Sequence, residues 1–331
     1  MNIPTHKLDN VSPPCRQVGL SLVELMISLT IGLVLLTGIT TLIVQQSATR
    51  NELEKSSRQI ENGRYAMQIL HDDIEHAGFY GEYSPPATTT YTVPADPCDT
   101  VVANLGWNSA TPAVPVALHG YTGAGATPAC VANRKAGTAI LVVRRTATST
   151  VAAAAAVAGT TYLQVSRCNT DTSAFVLGTG SFTLKQKDCT TLAPLHAYIV
   201  RIYYISTCSV CGTGGDTIPT LKMVEFVGGA QTTIPLVEGI ENMQFDYGIA
   251  ASSTSVSAAS YTTAPAAADW ANVMTVRVNL LARNNDPTTG YTDTKSYTLG
   301  GAGTVTPGGA YKRHVYSALV RVVNPSGRRE Q

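Results

Sequence analysis

The chain has 331 residues, enough to bury one or two hydrophobic cores. Its charge is sparse and balanced, 23 Lys+Arg against 22 Asp+Glu, with only 14% charged residues. That balance argues against the clustered basic surface needed for an electrostatic grip on nucleic acid, so nucleic acid is not an expected partner.

Residues 1–19 are polar and carry Lys7 and Arg16. From Leu20 to Val44 the chain is almost unbroken apolar sequence, long enough to cross a bilayer. Glu24 interrupts that run near its start, at a cost of about 3 kcal/mol in a hydrocarbon environment. A secretory signal would have an apolar core of about 7–15 residues ending at a small-residue cut site, and neither feature is present. An uncut anchor fits the length but leaves Glu24 without a role. A cut after Gly19 would make Leu20 the first residue and Glu24 the fifth. Lysine and arginine flank the run on both sides, so charge asymmetry does not set its orientation.

The succession Gly19, Leu20, Ser21, Leu22, Val23, Glu24, Leu25 resembles the type IV pilin and pseudopilin superfamily. The resemblance implies a leader, residues 1–19, removed by a prepilin peptidase between Gly19 and Leu20. It also implies N-methylation of Leu20 and a leader on the cytoplasmic side of the membrane. The new ammonium on Leu20 then gives Glu24 its role. Paired with the amine of its own or a neighbouring chain, the carboxylate sets axial register on assembly. Two departures are Leu20, where phenylalanine is commonest, and Thr41, where many major pilins carry a helix-kinking proline.

The apolar run continues without proline from Gln45 to Ala77. Leu53, Ile60, Met67 and Ile74 recur every seven residues, with Gly63, Leu70 and Ala77 between them, which predicts an amphipathic helical face. Gly78 is the expected helix C-cap. One helix over residues 20–77 is therefore expected, apolar all round over 20–44 and amphipathic over 45–77.

Residues 84–136 are rich in Pro, Gly, Thr and Ala and read as loops. Strands are predicted at 138–145, 161–166, 181–187, 197–206, 220–228, 242–249, 272–283 and 312–324. The Ala-rich segment 151–159 is expected to be a surface excursion. The stretch containing Gly63, Arg64, Tyr65, Ala66, Leu70, Asp73, Ala77, Gly78 and Phe79 resembles the PilW-type minor pilins, as do the ordered segments 137–145, 198–229, 234–249, 273–283 and 311–324. The implied fold is α+β: a long N-terminal helix packed on a β-rich periplasmic globular domain, residues 78–331.

There are seven cysteines, and Cys15 falls in the leader. The six that remain, Cys98, Cys130, Cys168, Cys189, Cys208 and Cys211, suit an oxidising compartment. Six cysteines allow 15 pairings, among which sequence does not choose; the favoured structural one, in chain order, is Cys98–Cys130, Cys168–Cys189, Cys208–Cys211. Cys208-Ser-Val-Cys211 could also be a redox pair or half a zinc site. It follows a strand instead of opening a helix, and no second C-x-x-C exists. In "HDDIEH" (71–76), His71 and Glu75 share one helical face and Asp72 and His76 another, so a solvated charged helix end is expected and no metal. His119, His196 and His314 are scattered. No catalytic or cofactor-binding motif is present.

The expected function is that of a structural minor pilin, held in the inner membrane before joining a pilus and helping to prime assembly at or near its tip. By resemblance this supports twitching motility, adhesion or DNA uptake. The implied partners are other minor pilins, the major pilin, the prepilin peptidase and the inner-membrane assembly platform. A J-type pseudopilin of a type II secretion system, or a membrane-anchored periplasmic adhesion or binding protein, would share much of this sequence pattern.

Overall fold

A computed structural model describes residues 19–86 and 88–330; residues 1–18 of the leader, with Cys15, lie outside the described residues. The chain divides into two compact units, Met1–Leu53 and Glu54–Gln331. A single helix, α1 (Leu22–His76), contributes to both.

In the first unit the apolar side chains of α1 are exposed all round, from Leu22 to Val44. The hydroxyls in this stretch bond back to the helix itself. Ser28 Oγ donates to Glu24 O at 2.6 Å, Thr37 Oγ1 to Leu33 O at 2.8 Å and Thr41 Oγ1 to Gly38 O at 2.8 Å. Each hydroxyl is thus satisfied without water, which is what a hydrocarbon environment demands. Among the described residues α1 alone is long and apolar enough to cross a membrane.

The second unit holds the rest of α1 and fifteen strands. Its first strands are β1 (Thr90–Thr92), β2 (Ala113–Pro115), β3 (Leu118–Tyr121), β4 (Ile140–Thr146), β5 (Tyr162–Val165) and β6 (Phe175–Gly178). Then come β7 (Leu195–Ser206), β8 (Thr220–Val227), β9 (Ala230–Glu238), β10 (Ile240–Ala250) and β11 (Ala258–Thr262). The last are β12 (Val273–Arg283), β13 (Tyr297–Thr298), β14 (Thr304–Val305) and β15 (Arg313–Arg321), followed by a short helix α2 (Val323–Gly327). The larger sheet runs β3-β4-β7-β5-β6, with β8 pairing β7 and β9. The smaller runs β11-β10-β12-β15, and both are antiparallel.

The larger sheet is buried on both faces, which explains the continuous apolar runs in its sequence. Alternate residues divide the two sides. Leu141 and Val143 of β4, with Tyr203 and Ile205 of β7, pack with Ala66, Leu70 and Ile74 of α1. Ile140 and Val142, with Tyr198 and Val200, face a second core containing Tyr80, Trp107 and Phe175. The smaller sheet closes the first core with Phe245, Val276 and Val278.

The buried face of α1 matches the expected one in part. The expected Gly63, Leu70 and Ile74 are buried, as is Ala77 just past the helix, but Gln59, Ala66 and Asp73 join them, while Leu53 and Ile60 are exposed and Met67 is half-buried. Positions 59, 63, 66, 70, 73 and 77 alternate steps of four and three, and this stripe tolerates small and polar residues because of what it meets. Gly63 lies where a Cβ would come within 2.2 Å of the Tyr316 ring. Gln59 Nε2 donates to Ala282 O at 2.9 Å and Lys312 O at 3.1 Å. Hydrophobicity alone extended the face to Leu53, Ile60 and Met67 and missed Gln59 and Asp73. Gly78 ends the helix with φ of 74°, and its N–H donates to Arg144 O at 2.8 Å.

Seven of the eight predicted strands form, within a few residues of their expected bounds. Residues 181–187 do not, apart from one isolated bridge between Lys185 and Leu192. Two of their backbone N–H groups go to side chains instead: Gln164 Oε1 accepts Leu184 N–H at 2.9 Å and Asp171 Oδ2 accepts Lys185 N–H at 2.9 Å. The unforeseen β9 follows β8 through Gly228-Gly229, both at positive φ, a two-residue hairpin turn that the Gly-Gly pair encodes.

Candidate functional site

The N-terminal motif stands at the start of α1. Ser21 caps the helix, its Oγ accepting Val23 N–H at 3.3 Å. Glu24 Oε2 accepts Ser21 N–H at 3.0 Å, the return half of a Ser-x-x-Glu capping arrangement. Glu24 is exposed and its carboxylate lies one residue from the Leu20 nitrogen. Gly19 and Leu20 precede the helix, and nothing lies within 4 Å of the Cβ position of Gly19. The motif therefore presents a non-helical dipeptide next to a carboxylate that already binds backbone N–H.

At the other end of α1, Asp73 is 3% exposed and sits in the middle of an ion-pair network. Its Oδ1 accepts from Arg145 Nε at 2.7 Å and Arg201 Nη1 at 2.9 Å, and its Oδ2 from Tyr203 Oη at 2.9 Å. Strand alternation brings these partners together. Arg201 pairs with Val143 and Tyr203 with Leu141 across β4 and β7, so both share the face that meets α1. Burial alone would lower the Arg201 pKa, but the carboxylates of Asp73 and Glu225 hold it above its ordinary value. Tyr203 is pushed up by burial and by the Asp73 charge. Asp73 belonged to a helix end expected to be solvated, and that expectation fails here. The available signal was its place three residues after Leu70 and seven after Ala66.

A second network joins β10, β15 and the loop before β13. Arg313 Nη1 donates to Asp293 Oδ2 at 2.8 Å, and its Nε and Nη2 reach the carboxylate of Glu241. Burial raises the Glu241 and Asp293 carboxyls, but the hydrogen bonds and charge of Arg313, helped by the Lys135 charge at Glu241 and by the Lys295 N–H and Tyr297 hydroxyl at Asp293, together hold both below their ordinary values of 4.5 and 3.8. A depressed folded-state pKa contributes stability above the unfolded value and loses it as pH falls through the folded one. Stability should therefore fall as pH drops below about 4.5. Arg313→Met should flatten that acid limb when thermal midpoints are measured from pH 6 to pH 2.5. An unchanged slope would remove these two carboxylates as its cause.

The six cysteines of the second unit form three disulfides, Cys98–Cys130, Cys168–Cys189 and Cys208–Cys211, with Cα separations of 5.7, 5.0 and 5.3 Å. Tyr198, Tyr203 and Tyr204 are buried on the faces of the larger sheet. The scattered histidines do not converge. His119 Nδ1 lies 2.9 Å from Arg144 Nη1 and His196 Nδ1 lies 2.9 Å from Ala147 O. In "HDDIEH", His71 Nδ1 lies 3.7 Å from Glu75 and the His76 ring lies 2.6 Å from Asp72 O. Among the described residues no cluster of three or more His, Cys, Asp or Glu is placed to hold a metal.

A family model described as Type IV Pilus-assembly protein W matches residues 202–324, from within β7 to the start of α2. No curated protein and no solved structure matches the chain.

Proposed function

From the PilW-type family supported by the match over residues 202–324, a pilus-assembly family, we propose that the chain is a minor type IV pilus subunit. It is made with a leader, cut between Gly19 and Leu20 by a prepilin peptidase, and methylated at Leu20. Residues 20–44 hold it in the inner membrane with the globular unit in the periplasm, before it joins the pilus. There it helps prime assembly at or near the tip, in contact with other minor pilins, the major pilin and the assembly platform.

The observation that carries this reading is that two separate parts of the chain agree. The Gly19-Leu20…Glu24 motif opens an apolar helix, while the family match lies wholly in the strand-rich half and includes none of that motif. The chemistry is consistent with the role. In the uncut chain Glu24 accepts the Ser21 N–H. After cleavage an ammonium on Leu20 offers the same carboxylate a charged partner, which is far stronger in a low-dielectric surrounding. The protein then acts by packing its helix among others and presenting its sheets to neighbours, with no bond made or broken.

Mass spectrometry of the protein purified from its own membranes tests the reading. The expected N-terminus is Leu20 with one added methyl group. A protein retaining residues 1–19 would overturn it.

A further inference from the structure

The turn Cys208-Ser-Val-Cys211 leaves β7 directly and is closed by its own disulfide. Lys222, on β8, reaches this turn, with Nζ 3.3 Å from Cys211 Sγ. Lys222 is 8% exposed, a burial that lysine side chains ordinarily reach only with a paired acid. The charged group acting on it is Asp216, but that carboxylate is committed elsewhere. It accepts the backbone N–H groups of Ser209 and Val210 at 2.8 Å and of Ile218 at 2.9 Å. Burial accordingly pushes the Lys222 pKa down, with Asp216 offsetting part of the effect.

The partner that Lys222 touches is therefore a disulfide sulfur, which is a weak acceptor. Reduction would turn that sulfur into a thiolate and give the buried ammonium a full ion pair. Ser206 Oγ lies 3.6 Å from both sulfurs and can donate to the same thiolate. Among the described residues, the hydrogen-bond partners of the other two disulfides are neutral. Cys98 Sγ accepts Cys130 N–H at 3.1 Å, Cys168 Sγ lies 3.0 Å from Thr170 Oγ1, and Cys189 Sγ lies 3.8 Å from Asn169 Oδ1. The turn does not open a helix, so the stabilisation that a helix N-terminus would supply to a thiolate is supplied here by an ammonium.

We propose that Cys208–Cys211 is a thiol–disulfide exchange site for a dithiol partner, and that its reduced form is held as a Cys211 thiolate paired with Lys222. In the net step the two sulfurs of the partner dithiol become a disulfide and yield two electrons and two protons. The Cys208–Cys211 bond breaks; Cys208 keeps one proton, Cys211 remains a thiolate and the second proton goes to solvent. Because the ion pair exists only in the reduced state, it shifts the equilibrium toward reduction.

The test is a redox titration of the full chain in detergent, in buffers of reduced and oxidised dithiothreitol. Free thiols are alkylated at each point and located by peptide mass spectrometry. Cys208 and Cys211 are expected to become alkylated at reductant ratios that leave Cys98–Cys130 and Cys168–Cys189 oxidised. Lys222→Met is expected to require a roughly tenfold higher ratio, equivalent to about 30 mV for a two-electron couple. The midpoints of the other two disulfides serve as the internal control that the fold is intact, and should not move. Simultaneous reduction of all three, or an unchanged Cys208–Cys211 midpoint in Lys222→Met, would overturn the proposal.

Discussion

Glu24→Leu is expected to leave cleavage after Gly19 intact and to deplete the protein from sheared pili on the order of 50-fold. The magnitude follows from charge. An ammonium on Leu20 without a carboxylate in an apolar surrounding costs about 2.5 kcal/mol or more, and each 1.4 kcal/mol is a factor of ten. Glu24→Gln separates the two roles that the geometry allows this side chain. Glutamine can still accept the Ser21 N–H that Glu24 Oε2 now holds at 3.0 Å, so that capping contact survives while the charge is lost. If the ion pair is what matters, the glutamine variant should be depleted nearly as severely as the leucine one. The measurement is the ratio of protein in pilus and membrane fractions, with the N-terminus of each checked by mass. Wild-type amounts of either variant in pili would show that capping, or nothing at this position, governs incorporation.

Asp73→Ala should cost the globular unit about 3–5 kcal/mol. The substitution removes one carboxylate but strands three groups: Arg145, Arg201 and the buried Tyr203 hydroxyl. Arg201 retains Glu225, bound from its Nε at 2.7 Å, so the loss falls chiefly on Arg145 and Tyr203. For a unit of this size the thermal midpoint should drop by roughly 10 °C. Asp73→Asn keeps an acceptor for one donor and should fall between the two. Calorimetry of the full chain in detergent gives the answer, and a change below about 1 kcal/mol would mean that the network adds little to helix docking.

Both positions are single acidic residues on α1, yet they were not equally legible. Glu24 is conspicuous because it interrupts an apolar run, and a costly residue in such a run asks for a partner. Asp73 is inconspicuous because it sits in "HDDIEH" beside other charged and polar residues. Only its helical spacing from Ala66 and Leu70 distinguishes it locally from Asp72. What distinguishes it in the fold is the pairing of β4 with β7, which sets Arg145, Arg201 and Tyr203 on the face that α1 covers. The same reason explains where the buried helix face departs from the expected one. Periodicity pointed to Leu53, Ile60 and Met67 because they are the larger apolar residues. The sheet kept the expected Gly63, for the space taken by Tyr316, and added Gln59, whose amide meets two backbone carbonyls.

Order along the chain by itself determined the leader-like motif, the extent of the long helix, its glycine stop at Gly78 and most of the strands. These depend on interactions between residues close in sequence: an apolar run, a helix period, a positive-φ glycine, an alternation of β-branched residues. Which helical face is buried, why residues 181–187 form no strand, and where Asp73, Arg313 and Lys222 find their partners were decided only in the tertiary structure. Each depends on side chains brought together from distant segments, and a buried charge or amide is placed by the partner that satisfies it.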